Sequence, residues 1–147
     1  MEPINYLELL LVEDNPADAE LAIRALHKKY PHHTITHAHD GQEALDFVLG
    51  LTTKPEKAVK LPGLIFLDLK LPKINGLQVL EKIKQNEETR AIPVIVLSSS
   101  KETGDIKKAY QMGANSFVVK PVSFEDYEQT LDNLAHYWLT LNQSPIK

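Results

Sequence analysis

Five times along the chain a short apolar run stops at a polar residue and gives way to a segment with helical spacing. That alternation restricts the fold more than any other feature. The runs cover residues 7–12, 35–38, 64–67, 92–97 and 116–119, and several are apolar at successive positions. A strand that is apolar on both sides belongs to a parallel sheet covered on both faces. Between the runs lie helix signals. Asn15 is placed to cap a helix with Pro16 at its first position, and Ala19, Ala22, Ile23 and Leu26 recur at helical spacing. Asp40 and Glu43 open a second helix, through Leu49 with Gly50 at its end, and residues 51–62 read as a loop. The Asn75-Gly76 turn precedes a helix over 77–84, and a short helix over 106–112 is stopped by Gly113. Ser123 caps a last helix that reaches about Leu141. Parallel strands joined by right-handed crossovers predict an α/β doubly wound five-stranded sheet. Ligands of such sheets bind outside the carboxyl ends of the strands, where the strand order reverses.

With 147 residues, 43% of them apolar, the chain supports one domain, placed at 1–142, followed by a short mobile tail over 143–147. There is no cysteine, so disulfide, thiol and cysteine-zinc chemistry are excluded. No apolar stretch approaches the ~20 residues of a membrane span, and residues 1–5 do not resemble a secretion signal. A soluble cytoplasmic protein is expected, with no membrane partner. The formal charge of −4 and the absence of a Lys/Arg cluster argue against a nucleic-acid face. Output through protein partners is the expectation.

The polar residues that end the runs are the chemically informative ones. Glu13 and Asp14 follow the first, Asp68 the third, Ser98 the fourth and Lys120 the fifth. The fold places all five on one rim. Singly, each has a plain structural reading as a helix cap, a strand terminator or a loop residue. Three carboxylates brought together repel, and a divalent cation resolves the conflict. An all-oxygen ligand set suits Mg²⁺, or Mn²⁺, better than zinc. Asp68 is then a candidate nucleophile for a phosphoryl group, with Lys120 and the cation neutralising the transferring oxygens and the Ser98 hydroxyl donating to one of them.

The motifs LLLVEDN (9–15), LIFLDLKLPKINGLQVL (64–80), IPVIVLSSS (92–100) and NSFVVKP (115–121) closely resemble the response-regulator receiver family. Within it, NPADAEL, the long loop before the third strand and HYWLTLN are similar to the stand-alone receivers that accompany bacterial and cyanobacterial phytochromes. The resemblance implies the flavodoxin-like receiver fold with strand order 2-1-3-4-5. It makes Asp68 the phosphoacceptor and puts Mg²⁺ on Asp14, Asp68 and the backbone carbonyl of Lys70, with Glu13 acting through water. Ser98 becomes the switch hydroxyl, Lys120 the phosphate-binding amine and Phe117 the switch aromatic, and the Lys120–Pro121 bond is expected to be cis. The donor would be a sensor histidine kinase, including a phytochrome-type photoreceptor kinase. The implied function is that of a single-domain two-component regulator that catalyses only its own phosphorylation and dephosphorylation.

Two rivals share parts of this pattern. Phosphatases of the haloacid dehalogenase type resemble a DxDx[TV] motif, but Leu69-Lys70-Leu71 follows the acid here and the second carboxylate is missing. A flavodoxin-like carrier needs a phosphate loop after the first strand, where Glu13 and Asp14 would repel the ligand. His37 and His39 share one face of a short strand without an evident ligand cluster. In the last helix an apolar stripe runs through Phe124, Tyr127, Leu131, Leu134, Trp138 and Leu141. Its end, with Tyr137, Trp138, Leu139 and Leu141, is expected to overhang the sheet and form a homodimer interface.

Overall fold

In the computed structural model, which describes residues 7–52 and 61–146, the five runs pair as one parallel sheet. The strands are β1 (Glu8–Val12), β2 (Thr34–Ala38), β3 (Leu64–Leu67), β4 (Val94–Ser98) and β5 (Ser116–Val119), in the order β2-β1-β3-β4-β5. The helices are α1 (Pro16–Lys29), α2 (Gly41–Thr52), α3 (Gly76–Gln85), α4 (Thr103–Gln111) and α5 (Phe124–Ala135), the last continued by a π-helical segment, His136–Leu141. The doubly wound, flavodoxin-like expectation holds.

Strand alternation divides the core in two. From β1, Leu9 and Leu11 join Phe66, Ile95 and Leu97 beneath α1 and α5, where Ala19, Ala22, Leu26 and Leu131 pack. Leu10 and Val12 point the other way, with Ile65, Leu67 and Val96, beneath Leu45, Val79, Leu80 and Ile83 of α2 and α3. Both layers are built from buried apolar side chains, which is why β3 and most of β1 and β4 read as apolar runs.

The caps form where the sequence places them. Asn15 Oδ1 accepts from the amides of Ala17 and Asp18 at 3.0 and 3.1 Å, Asp40 Oδ1 accepts from Glu43 N, and Asn75 and Gln78 complete a reciprocal capping box. Gly113, at φ +105°, ends the turn after α4 in a conformation that favours glycine. Gly50 does not end α2. The helix runs on to Thr52, whose hydroxyl donates to Leu49 O, because a single glycine costs a helix only about 1 kcal/mol. The rest of the expected loop, residues 53–60, lies outside the described residues. Residues 143–146, expected as a mobile tail, place Ile146 half-buried against the α2–α3 layer.

The predicted overhang of the last helix is only half correct. Trp138 and Leu139 pack against the α1–α5 layer, while Tyr137 and Leu141 remain exposed. The final turns, His136–Leu141, widen to a π-helix where Trp138 packs against the layer. The Tyr137 and Trp138 rings meet edge-on at 5.0 Å.

Candidate functional site

Strand direction brings the ends of β1, β3, β4 and β5 to one rim, and the reversal of strand order falls at β1, between β2 and β3. Glu13, Asp14 and Asp68 each offer an oxygen there, all within 4.8 Å of one another. Among the described residues this is the one group of three or more such side chains with metal-holding geometry. His37 and His39 stack on each other at 4.0 Å, and His37 Nε2 meets Glu13 O at 2.8 Å, so both histidines have structural roles.

Backbone bonds set each carboxylate. Asp68 N donates to Val12 O at 3.1 Å and Glu13 N to Ala38 O at 3.0 Å, extending the ladders past the strand ends. Asp68 Oδ1 accepts from Lys70 N at 3.2 Å, and Glu13 Oε2 from Asn15 N at 3.2 Å. Behind Asp68 the first residue of α3 must be glycine, since a Cβ at Gly76 would lie 2.2 Å from Asp68 O. That close approach lets the loop over residues 69–75 fold beside the acid. Asp14 is exposed, Asp68 is buried, and Glu13 retains only 2% exposure.

Lys120 organises the cluster. Its backbone N–H donates to Ser98 O at 2.8 Å, and its ammonium bonds Glu13 Oε1, Asp68 Oδ2 at 3.2 Å and Asp18 Oδ2 at 3.2 Å. Burial alone would lower the pKa of this lysine, but the Glu13 hydrogen bond and the charges of Asp68 and Glu13 outweigh it and hold the group above its ordinary value. The lysine is therefore the internal counterion of a crowded anionic site. Asp18, which the sequence reading did not single out, lies in the first turn of α1, one turn beyond Asp14. That i, i+4 spacing was its available signal.

The Lys120–Pro121 bond is trans, not cis as expected. The trans form is intrinsically preferred by about 0.5–1 kcal/mol, and with it the ammonium already reaches all three carboxylates.

Ser98 is fully buried at the end of β4, with its Oγ accepting from Ser100 N at 3.2 Å, which leaves its own proton available to donate. Ser100 in turn donates to Asp105 Oδ2 of α4 at 2.6 Å. Phe117 is half-buried against the α2–α3 layer, and its amide donates to Tyr110 Oη at 3.2 Å. A cleft of about 490 Å³ opens beside the acids, lined by Asp14, Leu69, Lys70, Pro72, Ser100 and Asp105. The structure thus gathers Glu13, Asp14, Asp68 and Lys120, with Ser98 bound to the backbone of Lys120.

Burial, reinforced by the charge of Asp68 and opposed by the Lys120 hydrogen bond, raises the Glu13 pKa from 4.5 to about 7. The folded protein then binds more protons than the unfolded chain between those values, so this group's contribution to stability is full below about 4.5 and is lost as pH rises through 7. Urea midpoints of the metal-free protein should fall between pH 5 and 7.5, and Glu13→Gln should flatten that slope. An equal slope in the variant counts against it.

A profile of the "Response regulator receiver domain" matches residues 9–132. The chain belongs to the response regulator receiver family. Its fold and its rim of acids are those expected of a two-component receiver. It is 42% identical over 137 residues to the probable methanogenesis regulatory protein FilR2 of Methanothrix harundinacea, covering 93% of this chain and 86% of that one. Response regulator Rcp1 of Synechocystis is 34% identical over 131 residues, 89% of this chain and 88% of its own. The Mn²⁺-bound form of Rcp1 superposes with a TM-score of 0.86 over 95% of this chain and 99% of that one. The phosphorylated cyanobacterial phytochrome response regulator RcpA superposes with a TM-score of 0.88 at 32% identity, covering 96% and 99%.

The all-oxygen set fits the divalent metal that receivers bind, since Glu13, Asp14 and Asp68 supply hard carboxylate ligands and the exposed side of Asp14 leaves room for water. Among the described residues no helix is long and apolar enough to cross a membrane.

Proposed function

We propose that Asp68 accepts a phosphoryl group in the cytoplasm from a sensor histidine kinase, with Mg²⁺ held by Asp14, Asp68 and the Lys70 carbonyl and by Glu13 through water. The observation that carries this reading is the convergence of Lys120 on Asp68 and Glu13 at the strand-order reversal. An Asp68 carboxylate oxygen forms the new P–O bond as the P–N bond to the kinase imidazole breaks. The imidazole keeps the electron pair and takes up a proton. A bound Mg²⁺ would supply charge neutralisation at the phosphoryl oxygens. Lys120 turns its ammonium from Glu13 and Asp68 to one of those oxygens, and Ser98 donates to another. The modified state is read through Ser98 and Phe117, as the hydroxyl moves toward the phosphoryl group and the ring fills the space it leaves.

The kinase is of phytochrome type, on the likeness to RcpA. FilR2, more similar in sequence, is described as a methanogenesis regulator, so the input is the part most open to test. Autophosphorylated kinases mixed with this chain and Mg²⁺ should rank a phytochrome-type kinase first in transfer rate. Faster transfer from every non-phytochrome kinase overturns that partner, and transfer in excess EDTA overturns the metal's role.

The chain further pairs as a homodimer through the last helix. Support comes from Tyr137 at 49% and Leu141 at 59% exposure beside the half-buried Trp138. Because Trp138 and Leu139 serve the chain's own core, the informative variant is Tyr137→Ser/Leu141→Ser. Ultracentrifugation at tens of micromolar should show a dimeric wild type and a monomeric variant. A monomeric wild type, or a variant that still pairs, sinks the dimer.

A further inference from the structure

One buried polar atom has no partner: Tyr127 Oη, on α5, in a residue with 3% exposure. Among the described residues no other buried side-chain nitrogen or oxygen lacks a hydrogen bond. A buried phenol without an acceptor is unfavourable, a cost that phenylalanine would avoid at nearly the same volume. The position of the hydroxyl shows what it could serve. Alternation along the strands puts Glu13 on the same face as Leu9 and Leu11, Asp68 with Leu64 and Phe66, and Lys120 with Val118. That face is the one on which the Tyr127 ring packs. The hydroxyl lies within electrostatic reach of Lys120, Glu13, Asp18 and Asp68. Burial and the nearby carboxylates keep it protonated, the Lys120 charge notwithstanding, so it can act only as a neutral donor or acceptor.

In the structure Lys120 satisfies Glu13 Oε1 from one side. Turning this ammonium toward a phosphoryl group removes the Glu13 carboxylate's strongest donor while leaving it buried at 2% exposure. Even with a cation acting on Glu13 through water, the Oε1 atom that Lys120 bonded is left without a direct donor. Ser98 has its own proton free but gives it to the phosphoryl group, which leaves Tyr127, among the described residues, as the buried hydroxyl with no partner.

We infer that Tyr127 is a positioning residue whose hydroxyl takes over the Glu13 carboxylate when Lys120 moves from it to the phosphoryl group on Asp68. The idle hydroxyl is unfavourable in the resting state and is repaid in the modified one, so Tyr127 biases the receiver toward the phosphorylated arrangement without touching the reacting atoms. This rests on Asp68 being the acceptor.

The test compares wild type with Tyr127→Phe, using beryllofluoride and Mg²⁺ as the phosphoryl mimic. The resting melting temperature of the variant should equal or exceed that of the wild type, whereas its affinity for the mimic should fall about tenfold to a hundredfold, the equivalent of one hydrogen bond to a carboxylate. The ultraviolet difference spectrum on adding the mimic should carry a red-shifted phenol band in wild type that is missing from the variant. The affinity loss should persist when both proteins carry Asp18→Asn. Equal affinities, or a lower resting melting temperature in Tyr127→Phe, overturn the inference. Disappearance of the effect in the Asp18→Asn background overturns the assignment to Glu13. If Asp68 is not the acceptor, wild type itself fails to bind the mimic, an outcome separate from a wild type and variant that bind equally.

Discussion

Asp68→Asn should abolish the gain of one phosphoryl group that acetyl phosphate and Mg²⁺ give the wild type, read by intact mass. The loss should be complete, because the substitution removes the nucleophilic oxygen while leaving the surroundings in place. An amide has nearly the same shape and can still accept from Lys70 N, which bonds Asp68 Oδ1 in the structure. It also removes one of the negative charges that Lys120 balances, leaving Glu13 and Asp18 as partners of the ammonium. The variant should therefore melt no lower than wild type in EDTA, so a lost label cannot be blamed on unfolding. Ser98→Ala gives the opposite pattern. It should still be labelled, since the hydroxyl only stabilises a phosphoryl oxygen, yet most of the beryllofluoride-induced shift of Phe117 resonances should disappear. Equal labelling of Asp68→Asn would refute the acceptor, and an unchanged Phe117 response in Ser98→Ala would refute the switch.

The rim of acids was legible in the sequence for a physical reason: a parallel strand buried on two faces has an unmistakable apolar pattern, so the residue that ends it is located to within a position or two. Glu13 and Asp68 needed nothing more, while Lys120 follows the half-buried edge strand β5, whose Phe117–Val119 run still located it. Helix caps were similarly readable, because Asn15, Asp40 and Ser123 act on amides two or three residues away. What escaped were contacts between segments far apart in the chain. Asp18 meets Lys120 across 102 residues, and its spacing from Asp14 could have flagged its face but not its partner. Tyr127 read as one more member of an apolar stripe, since nothing in a sequence distinguishes a phenol that packs from one whose hydroxyl lies idle beside a charge cluster. The packing of Trp138 was missed because the apolar stripe, which includes Trp138, does not tell how far the core extends beneath the last turns of the helix. The trans Lys120–Pro121 bond is a further case, because local sequence leaves the two isomers within about 1 kcal/mol and tertiary contacts decide.

Lys120→Met should destabilise the metal-free protein by about 3 kcal/mol, more than any single substitution at the rim that removes an acid. The asymmetry follows from the charge count. Among the described residues Lys120 is the one cation bonded to Glu13, Asp18 and Asp68, and its side chain is only 10% exposed. Removing a carboxylate relaxes repulsion among the others, whereas removing the ammonium leaves all three facing one another, with Glu13 buried and uncompensated. Methionine keeps the aliphatic length, so lost packing contributes little. Glu13 can escape part of the cost by taking up a proton. Its pKa is already raised to about 7 with the lysine present, and without it the value must climb further. The loss should accordingly be largest near pH 8 and shrink toward pH 5.5. A divalent cation offers the other escape. Mg²⁺ at 100 times its dissociation constant adds about 2.7 kcal/mol by mass action, and it should raise the melting temperature of Lys120→Met more than that of wild type, because in the variant it no longer competes with a resident ammonium. Thermal melts at pH 8 and 5.5, each with EDTA and with Mg²⁺, provide the four comparisons. A variant as stable as wild type in EDTA at pH 8, or one that gains less from Mg²⁺, would show that Lys120 is not the counterion of this site.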